Sequence, residues 1–450
     1  MKYYYVTRPT PRSGHRLTLE DVLFDLISDR DYYRLNSKKR DSTPTRTYCY
    51  EYRTINSSSP QLQQLITANL KQMRDFYERY KEYDIMFDEQ YNYEVQFEIE
   101  NRLKKEMWRA NNYDEAELRK QTTQELASRG LKYNEMYYSF FIPKHSGGLR
   151  RIDAPSEELK SIQSLLKTMF ETFMDGNTYH TSAFAYIPGR CATDVGRKMQ
   201  QNKCRWILKT DFSDFFGSIT LDFAMQQLAH IYPFCEYIAL DRDAVRNCLK
   251  FCFLNGKLPQ GTPISPLLTN ILMIPLDFQI STALYNHATD ITTFDKADDE
   301  QNFRLIYTRY ADDINIGAHR GFDPKPVLDY IKKIIREENA PFIIKPEKTR
   351  YCSNAGQNWI LGVMLNQDNQ ITVGHKRKKQ IKAMLSNFAM DYRNGNVWDP
   401  SDIHQVLGNI SYLDSIEKDY STQLVGNLNT KFEMDILQTM KNVAYGNGGK

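Results

Sequence analysis

Two stretches of this chain hold aspartates in positions that could do chemistry. In "LIYTRYADDINIGAH" (Leu305–His319), Asp312 and Asp313 stand side by side between two runs that alternate apolar and polar residues. That alternation predicts a β-hairpin with both carboxylates at its tip. In "LKTDFSDFFGSIT", Asp211 follows a short apolar run, which places its carboxylate at the C-terminal end of a buried strand. Aspartate is also a common turn residue, and each stretch alone reads as nothing more. If the hairpin packs beside the strand, however, Asp211, Asp312 and Asp313 converge, and three carboxylates together demand cations. Hard oxygen donors suit Mg²⁺, with Mn²⁺ as an alternative, and a pair of such ions clamps an in-line phosphoryl transfer. A third stretch, "LPQGTPISPLLTN", sets Gln260 and Gly261 in a rigid turn whose backbone can approach a ligand closely. Gln260 there could support a nucleobase or sugar, although the turn also reads as a plain strand–helix connection.

Composition narrows the setting. The chain has 450 residues, enough for two or three domains, and 41% apolar and 26% charged residues, as in ordinary globular proteins. The net charge is only +3, so any basic surface must be local. Seven cysteines, odd in number and without a CxxC pair, fit reduced thiols in a cytosol better than a disulfide framework or zinc site. No apolar run reaches membrane-spanning length, and "MKYYYVTRPTPRSGH" lacks the core of a signal peptide. The expectation is a cytoplasmic protein with no membrane partner.

The elements that must position the aspartates divide the chain into three parts. Residues 1–130 are polar, Tyr-rich and mostly helical by pattern, with a loop at Asn36–Thr47. One helix follows Ser59-Pro60 and another runs through Val95, Ile99, Leu103 and Met107. Residues 131–368 alternate short strands and helices. "YYSFFIPK" and "LRRIDAP" form strands around Gly147-Gly148, "RDAVRNCLKFCFLNG" a helix closed by Gly256, and "SPLLTNILMIPLDFQI" a helix kinked at Pro275. Residues 369–450 are helical and open on the basic run "HKRKKQIKAML". Cations at a helix N-terminus oppose its dipole, a cost that phosphate contact would explain. The run reads either as a solvated face or as a track for a nucleic-acid backbone, through Lys376, Arg377, Lys378, Lys379 and Lys382.

Taken together, "TDFSDFF", "LPQGTPISPLLTN" and "RYADDINIG", in this order, resemble three successive palm motifs of reverse transcriptases. The flanks agree. "FIPKHSGGLRRIDAP" and "SAFAYIPGRCATD" resemble the fingers segments of bacterial group II intron and retron enzymes, "KPEKTR" the motif after the catalytic hairpin, and "WILGVMLN" the primer grip. The resemblance implies an α+β right-hand polymerase: fingers, a palm with an antiparallel sheet, a helical thumb, and a helical N-terminal extension. It implies that Asp211 and Asp312 are the main metal ligands, Asp313 a weaker one, and the Phe212 carbonyl a ligand of the second ion. Phe216 would be the steric gate against a ribose 2′-hydroxyl. Lys144 and Arg150 would bind the triphosphate, and Gln260 and Gly261 would contact the incoming nucleotide. Lys348 would protonate pyrophosphate. The implied partners are an RNA template, dNTPs and a DNA product.

Departures from the relatives bear on the subgroup. The chain has no Cys/His cluster after the palm, as a group II intron protein would carry, and no RNase H-like carboxylate set. The Asn-Ala…His stretch and the Val-Thr-Gly segment of retron enzymes are not found. These absences favour the defence-associated enzymes that act against phage, often with a dedicated non-coding RNA, and put a retron enzyme second. Untemplated or protein-primed DNA synthesis and a non-catalytic RNA-binding scaffold are the other readings. The N-terminal extension is the expected place for a second copy or a partner protein to bind.

Overall fold

The computed structural model describes residues 3–7, 32–34, 48–52, 60–81, 101–102, 105, 117, 121, 136–143, 148–174, 179–286, 303–353, 355 and 358–445. Three strands, β1 (Tyr3–Thr7), β2 (Tyr32–Arg34) and β3 (Tyr48–Tyr52), form an antiparallel sheet in the order β1-β3-β2. Helical spacing did not predict them. The aromatic and β-branched content of "YYYVT" and "YCYEY" is the strand signal that outweighs it. The loop at Asn36–Thr47 and the helix through Val95, Ile99, Leu103 and Met107 lie outside the described residues.

The expected helix after Ser59 runs from Pro60 to Tyr80. Its Ile66, Leu70 and Met73 face is buried in the main core, Asn69 Nδ2 donates to the Tyr237 hydroxyl at 2.6 Å, and Arg74 pairs with Asp241 at 2.6 Å. That helix therefore packs on its own chain's palm.

The fingers hairpin is β4 (Tyr137–Pro143) with β5 (Leu149–Pro155), paired from Tyr137↔Pro155 to Pro143↔Leu149. Gly148 in the turn has φ +81°, a conformation that suits glycine. Ser156 then caps the amphipathic helix Glu157–Phe173 by accepting the Leu159 N–H.

The palm sheet orders its strands β10 (Arg350–Ser353), β6 (Trp206–Ser213), β8 (Asp313–Ala318) and β7 (Ile306–Tyr310), with β9 (Ile343–Ile344) also paired to β6. All of these pairs are antiparallel. Strands β11 (Trp359–Ile360), β12 (Val363–Leu365) and β13 (Ile371–Thr372) make the small sheet beyond it.

Two expectations about helices resolve differently. The helix at Arg242–Lys250 stops short of Gly256. Asn255 (φ +52°) and Gly256 (φ +70°) instead form a tight turn, with Leu254 and Lys257 exchanging backbone hydrogen bonds at 2.8 and 3.0 Å. Asn-Gly is the signature of that two-residue turn, and it overrides helix closure. The kink at Pro275 is present. Helices Ser265–Leu272 and Ile274–Asn286 meet at 45°, where Pro275 lacks the N–H to continue the ladder. This bent pair is lined by fully buried Leu272, Leu276 and Ile280, and among the described residues no single helix is long and apolar enough to cross a membrane.

The four C-terminal helices, His375–Arg393, Pro400–Ile416, Lys418–Phe432 and Ile436–Tyr445, close around a core of their own. It includes Ile381, Leu385, Phe388, Val406, Leu413 and Met440.

Candidate active site

The strand and hairpin do pack side by side. In the β6–β8 register Asp211 lies directly across from Asp313, and the Phe212 N–H donates to the Asp312 carbonyl at 3.1 Å. The hairpin turns through Ala311, at φ +55°, and Asp312. A left-handed alanine is uncommon and must be held.

Arg309 holds it. Its side chain is fully buried and donates to the Ala311 carbonyl at 3.2 Å, to the Asn270 amide oxygen at 3.2 Å, and through both Nε and NH2 to Asp277, the latter at 2.7 Å. Tyr307 also donates to Asp277, at 2.8 Å. A buried pair is tolerated only when its hydrogen bonds are this complete.

Asp211 is 2% exposed. Its Oδ2 accepts from the Lys348 ammonium, with Lys345 at 3.7 Å, while its Oδ1 is buried with no hydrogen-bond partner. The 3₁₀ turn Pro346–Lys348 delivers Lys348, and the Lys345 N–H donates to the Asp211 carbonyl at 3.0 Å. The bond to Asp211 raises the Lys348 pKa.

Asp313 projects from the tip, and its pKa is pushed up to about 6, first by desolvation and then by the charges of Asp312 and Asp211, against Lys348 and Lys345. Among the described residues no three Asp, Glu, His or Cys side chains form a closed metal cage. Hard dications that share their coordination with substrate phosphates need no such cage. A buried carboxylate oxygen without a partner beside a reluctant second carboxylate is a donor set that suits a divalent cation.

The raised Asp313 pKa makes a prediction for the metal-free protein. The native state keeps its proton between about pH 4 and 6, where the unfolded chain has lost it. Stability therefore falls as pH rises through that window, and the penalty is complete above it. Two pKa units correspond to about 3 kcal/mol, which solvent screening at this exposed carboxyl reduces to roughly 1. Asp313→Asn should thus raise the melting temperature measured in EDTA at pH 7.5 by roughly 2 °C, and by less at pH 5.

The other expected residues fall into three groups. Phe216 is 9% exposed at the start of the short helix Phe215–Ser218, just after Asp211, and Phe212 stacks its ring on Phe215 and Phe342, leaving only its backbone toward the carboxylates. Arg150 is solvent-exposed on β5, whereas Arg151 is tied to Asp153 at 2.7 Å; Lys144 lies outside the described residues. The Gln260 carbonyl accepts the Asp153 N–H at 2.7 Å, and Gly261 has φ +116° with Ile152 only 2.8 Å from where a Cβ would sit. Gly261 is thus a close-approach glycine that docks the fingers hairpin, and Gln260 is half-buried above it.

On the thumb helix, Lys376, Lys379 and Lys382 are exposed at three-residue spacing. Arg377 bonds Asn409 at 2.9 Å. Lys378 gives its ammonium to Glu417, which also accepts from Thr372 and the Val373 N–H. Those two residues brace the thumb.

Sequence reasoning missed Lys345, the Asp277–Arg309 pair and Tyr186, whose ring meets Phe216. An aspartate in the apolar run "IPLDFQI" and an arginine inside a buried strand were the available signals for the pair.

Comparison with known proteins shows the family of the chain. The family model "Reverse transcriptase (RNA-dependent DNA polymerase)" matches residues 142–383, more than half of the chain. The retron Ec73 reverse transcriptase of Escherichia coli is 27% identical over 309 residues, covering 67% of this chain and 90% of that protein. The retron Mx65 reverse transcriptase of Myxococcus xanthus is 27% identical over 267 residues, 55% of each. Among solved structures, a telomerase from Candida albicans matches at a TM-score of 0.36 and 13% identity, over 70% of this chain and 59% of that one. The curated relatives that match over the greatest lengths are retron enzymes, which the departures from the retron pattern had put second. With its palm motifs, right-hand architecture and carboxylate site in place, the chain belongs to the reverse transcriptase family, the RNA-dependent DNA polymerases.

Proposed function

We propose that this polymerase copies a dedicated non-coding RNA into DNA by two-metal nucleotidyl transfer at Asp211, Asp312 and Asp313, in defence against phage. The observation that carries the catalytic reading is the cross-strand register of Asp211 and Asp313 with the unpartnered Asp211 Oδ1 beside them. Asp211, Asp312, Asp313 and the Phe212 carbonyl would hold two Mg²⁺ or Mn²⁺ ions, which when bound supply Lewis acidity for the 3′-hydroxyl and the phosphates.

The chain's own residues then divide the work. The primer 3′-hydroxyl loses its proton to solvent as its oxygen forms a bond to the α-phosphorus and the bond to pyrophosphate breaks. Lys348, an ammonium already in the site, gives the leaving pyrophosphate its proton, and Lys345 offsets charge beside it. Arg150 and Lys144 bind the triphosphate, Arg150 in forked geometry. Gln260 lies against the incoming nucleotide. The Phe216 ring excludes a 2′-hydroxyl by contact, so Phe216→Ala should raise ribonucleotide use roughly 10²-fold, read from single-nucleotide incorporation.

Exposed Lys376, Lys379 and Lys382 track the duplex backbone. Replacing all three with Ala should flatten the slope of log affinity against log salt by about 2 to 3, measured by fluorescence anisotropy on an RNA–DNA duplex. The direct test of templating is extension of a labelled primer on a defined RNA with one dNTP at a time. Addition of the complementary nucleotide alone supports the reading, and addition of any nucleotide, or addition without template, overturns it.

The resemblance to retron enzymes favours one further product, DNA joined to its RNA. Ribonuclease treatment that shortens the labelled product would reveal it. The defence role rests on the departures from the retron and group II intron patterns, and loss of phage resistance in cells carrying Asp312→Asn is its test.

A further inference from the structure

Residues 182–184 lie alongside β7 of the catalytic hairpin through a single isolated bridge, and a turn follows at Ala185–Tyr186. Ala183 bridges Arg309 in parallel, the Arg309 N–H donates to the Ser182 carbonyl at 2.7 Å, and the Phe184 N–H donates to the Arg309 carbonyl at 2.9 Å. The buried Asn270 amide donates to the Ala185 carbonyl at 2.8 Å, and the Arg190 guanidinium reaches back to the His180 carbonyl at 2.8 Å. Ile187 is buried on the far side.

Between these anchors Tyr186 has φ +60°, a conformation that bulky side chains rarely adopt. The strain is not rewarded by burial, since Tyr186 is 52% exposed. Strained residues of this kind cluster where a side chain must be aimed at a ligand.

What the ring touches is Phe216. Their centroids lie 6.4 Å apart with the planes at 65°, and Phe215 meets Phe216 as well, at 5.6 Å and 77°. The Tyr186 phenol also lies within electrostatic reach of Asp312, Arg150 and Asp313. The residues proposed to hold the metal, bind the triphosphate and form the gate, Asp312, Asp313, Arg150 and Phe216, are therefore all near one exposed aromatic ring.

We propose that Tyr186 is a specificity-determining residue for nucleotide addition: its ring braces Phe216 and forms a second aromatic wall around the sugar of the incoming deoxynucleotide. This rests on the reading of Phe216 as the steric gate. A gate discriminates by clash only while its ring cannot yield, and the nearly buried Phe216 ring meets both Tyr186 and Phe215. Removing the ring leaves Phe216 room to turn aside and admit a ribose. The hydroxyl is not needed for this, because the contact is between ring faces and edges.

The test is the ratio of kcat/KM for a ribonucleotide to that for the matching deoxynucleotide. It is measured on the full chain for wild type, Tyr186→Gly, Tyr186→Phe, Phe216→Ala and the Tyr186→Gly, Phe216→Ala double variant. Glycine accepts φ +60°, so Tyr186→Gly should fold, with a melting temperature equal to or above wild type. The expected ratio rises about tenfold in Tyr186→Gly, stays at wild type in Tyr186→Phe, and in the double variant equals that of Phe216→Ala. If Phe216→Ala relaxes the ratio while Tyr186→Gly leaves it at wild type, or slows both nucleotides equally, the role of Tyr186 is overturned and the gate stands. If Phe216→Ala itself leaves the ratio unchanged, the gate reading falls and takes the proposal with it.

Discussion

Asp312→Asn is expected to lower the rate of DNA synthesis by about 10³-fold or more, with RNA binding unchanged. The estimate follows from the several kcal/mol that metal-stabilised charge contributes, at 1.36 kcal/mol per tenfold. Asparagine keeps the shape of the turn, and the Asp312 backbone carbonyl still accepts the Phe212 N–H. The hairpin therefore survives while one anionic ligand is lost. Asp211→Asn should be equally severe and also disturb the site, because Lys345 and Lys348 both face the Asp211 carboxylate. Asp313→Asn should cost less, because Asp313 is exposed at the hairpin whereas Asp211 is buried and Asp312 half-buried, which makes it the most solvated of the three carboxylates. Single-turnover primer extension on one RNA template, alongside binding anisotropy, separates these three variants.

Asp277→Asn is the second large effect, and it acts on stability first. Asp277 and Arg309 are both fully buried, and breaking such a pair leaves an uncompensated charge at about 3–5 kcal/mol. The loss extends beyond the pair, since Tyr307 also donates to Asp277. The expected result is a chain recovered mostly insoluble, or one whose urea midpoint falls sharply. Replacing both partners, Asp277→Leu with Arg309→Met, should recover most of the stability because no charge is left stranded. It should not recover the rate. The Ala311 carbonyl loses its donor, and the left-handed turn that presents Asp312 is then held only by the strand ladder. Urea denaturation together with primer extension distinguishes the two consequences.

The catalytic core was readable in the sequence because its signals are local. Period-two alternation around Asp312 and Asp313 gave the hairpin, and the apolar run before Asp211 gave its strand. Once both are strands, antiparallel register brings Asp211 opposite Asp313. The basic thumb helix was legible for the same reason, but which of its cations are free was not. Lys378 and Arg377 look like their neighbours in sequence and are claimed by Glu417 and Asn409, which lie far along the chain.

Long-range pairing also explains the other omissions. Lys345 approaches Asp211 only because β9 pairs with β6, and Tyr186 approaches Phe216 only because residues 182–184 join β7. At the N-terminus the error was one of period. Residues 1–130 were read as mostly helical from their general pattern, yet Tyr-rich β1 and β3 are strands and the helical spacing is met at Pro60–Tyr80.

The most direct measurement is sequencing of the nucleic acids that copurify with wild-type protein and with Asp312→Asn. RNA-templated synthesis at this site predicts one discrete RNA in both preparations and DNA complementary to it in wild type alone. DNA of simple or random sequence, unrelated to any bound RNA, or DNA present equally in both preparations, would contradict it.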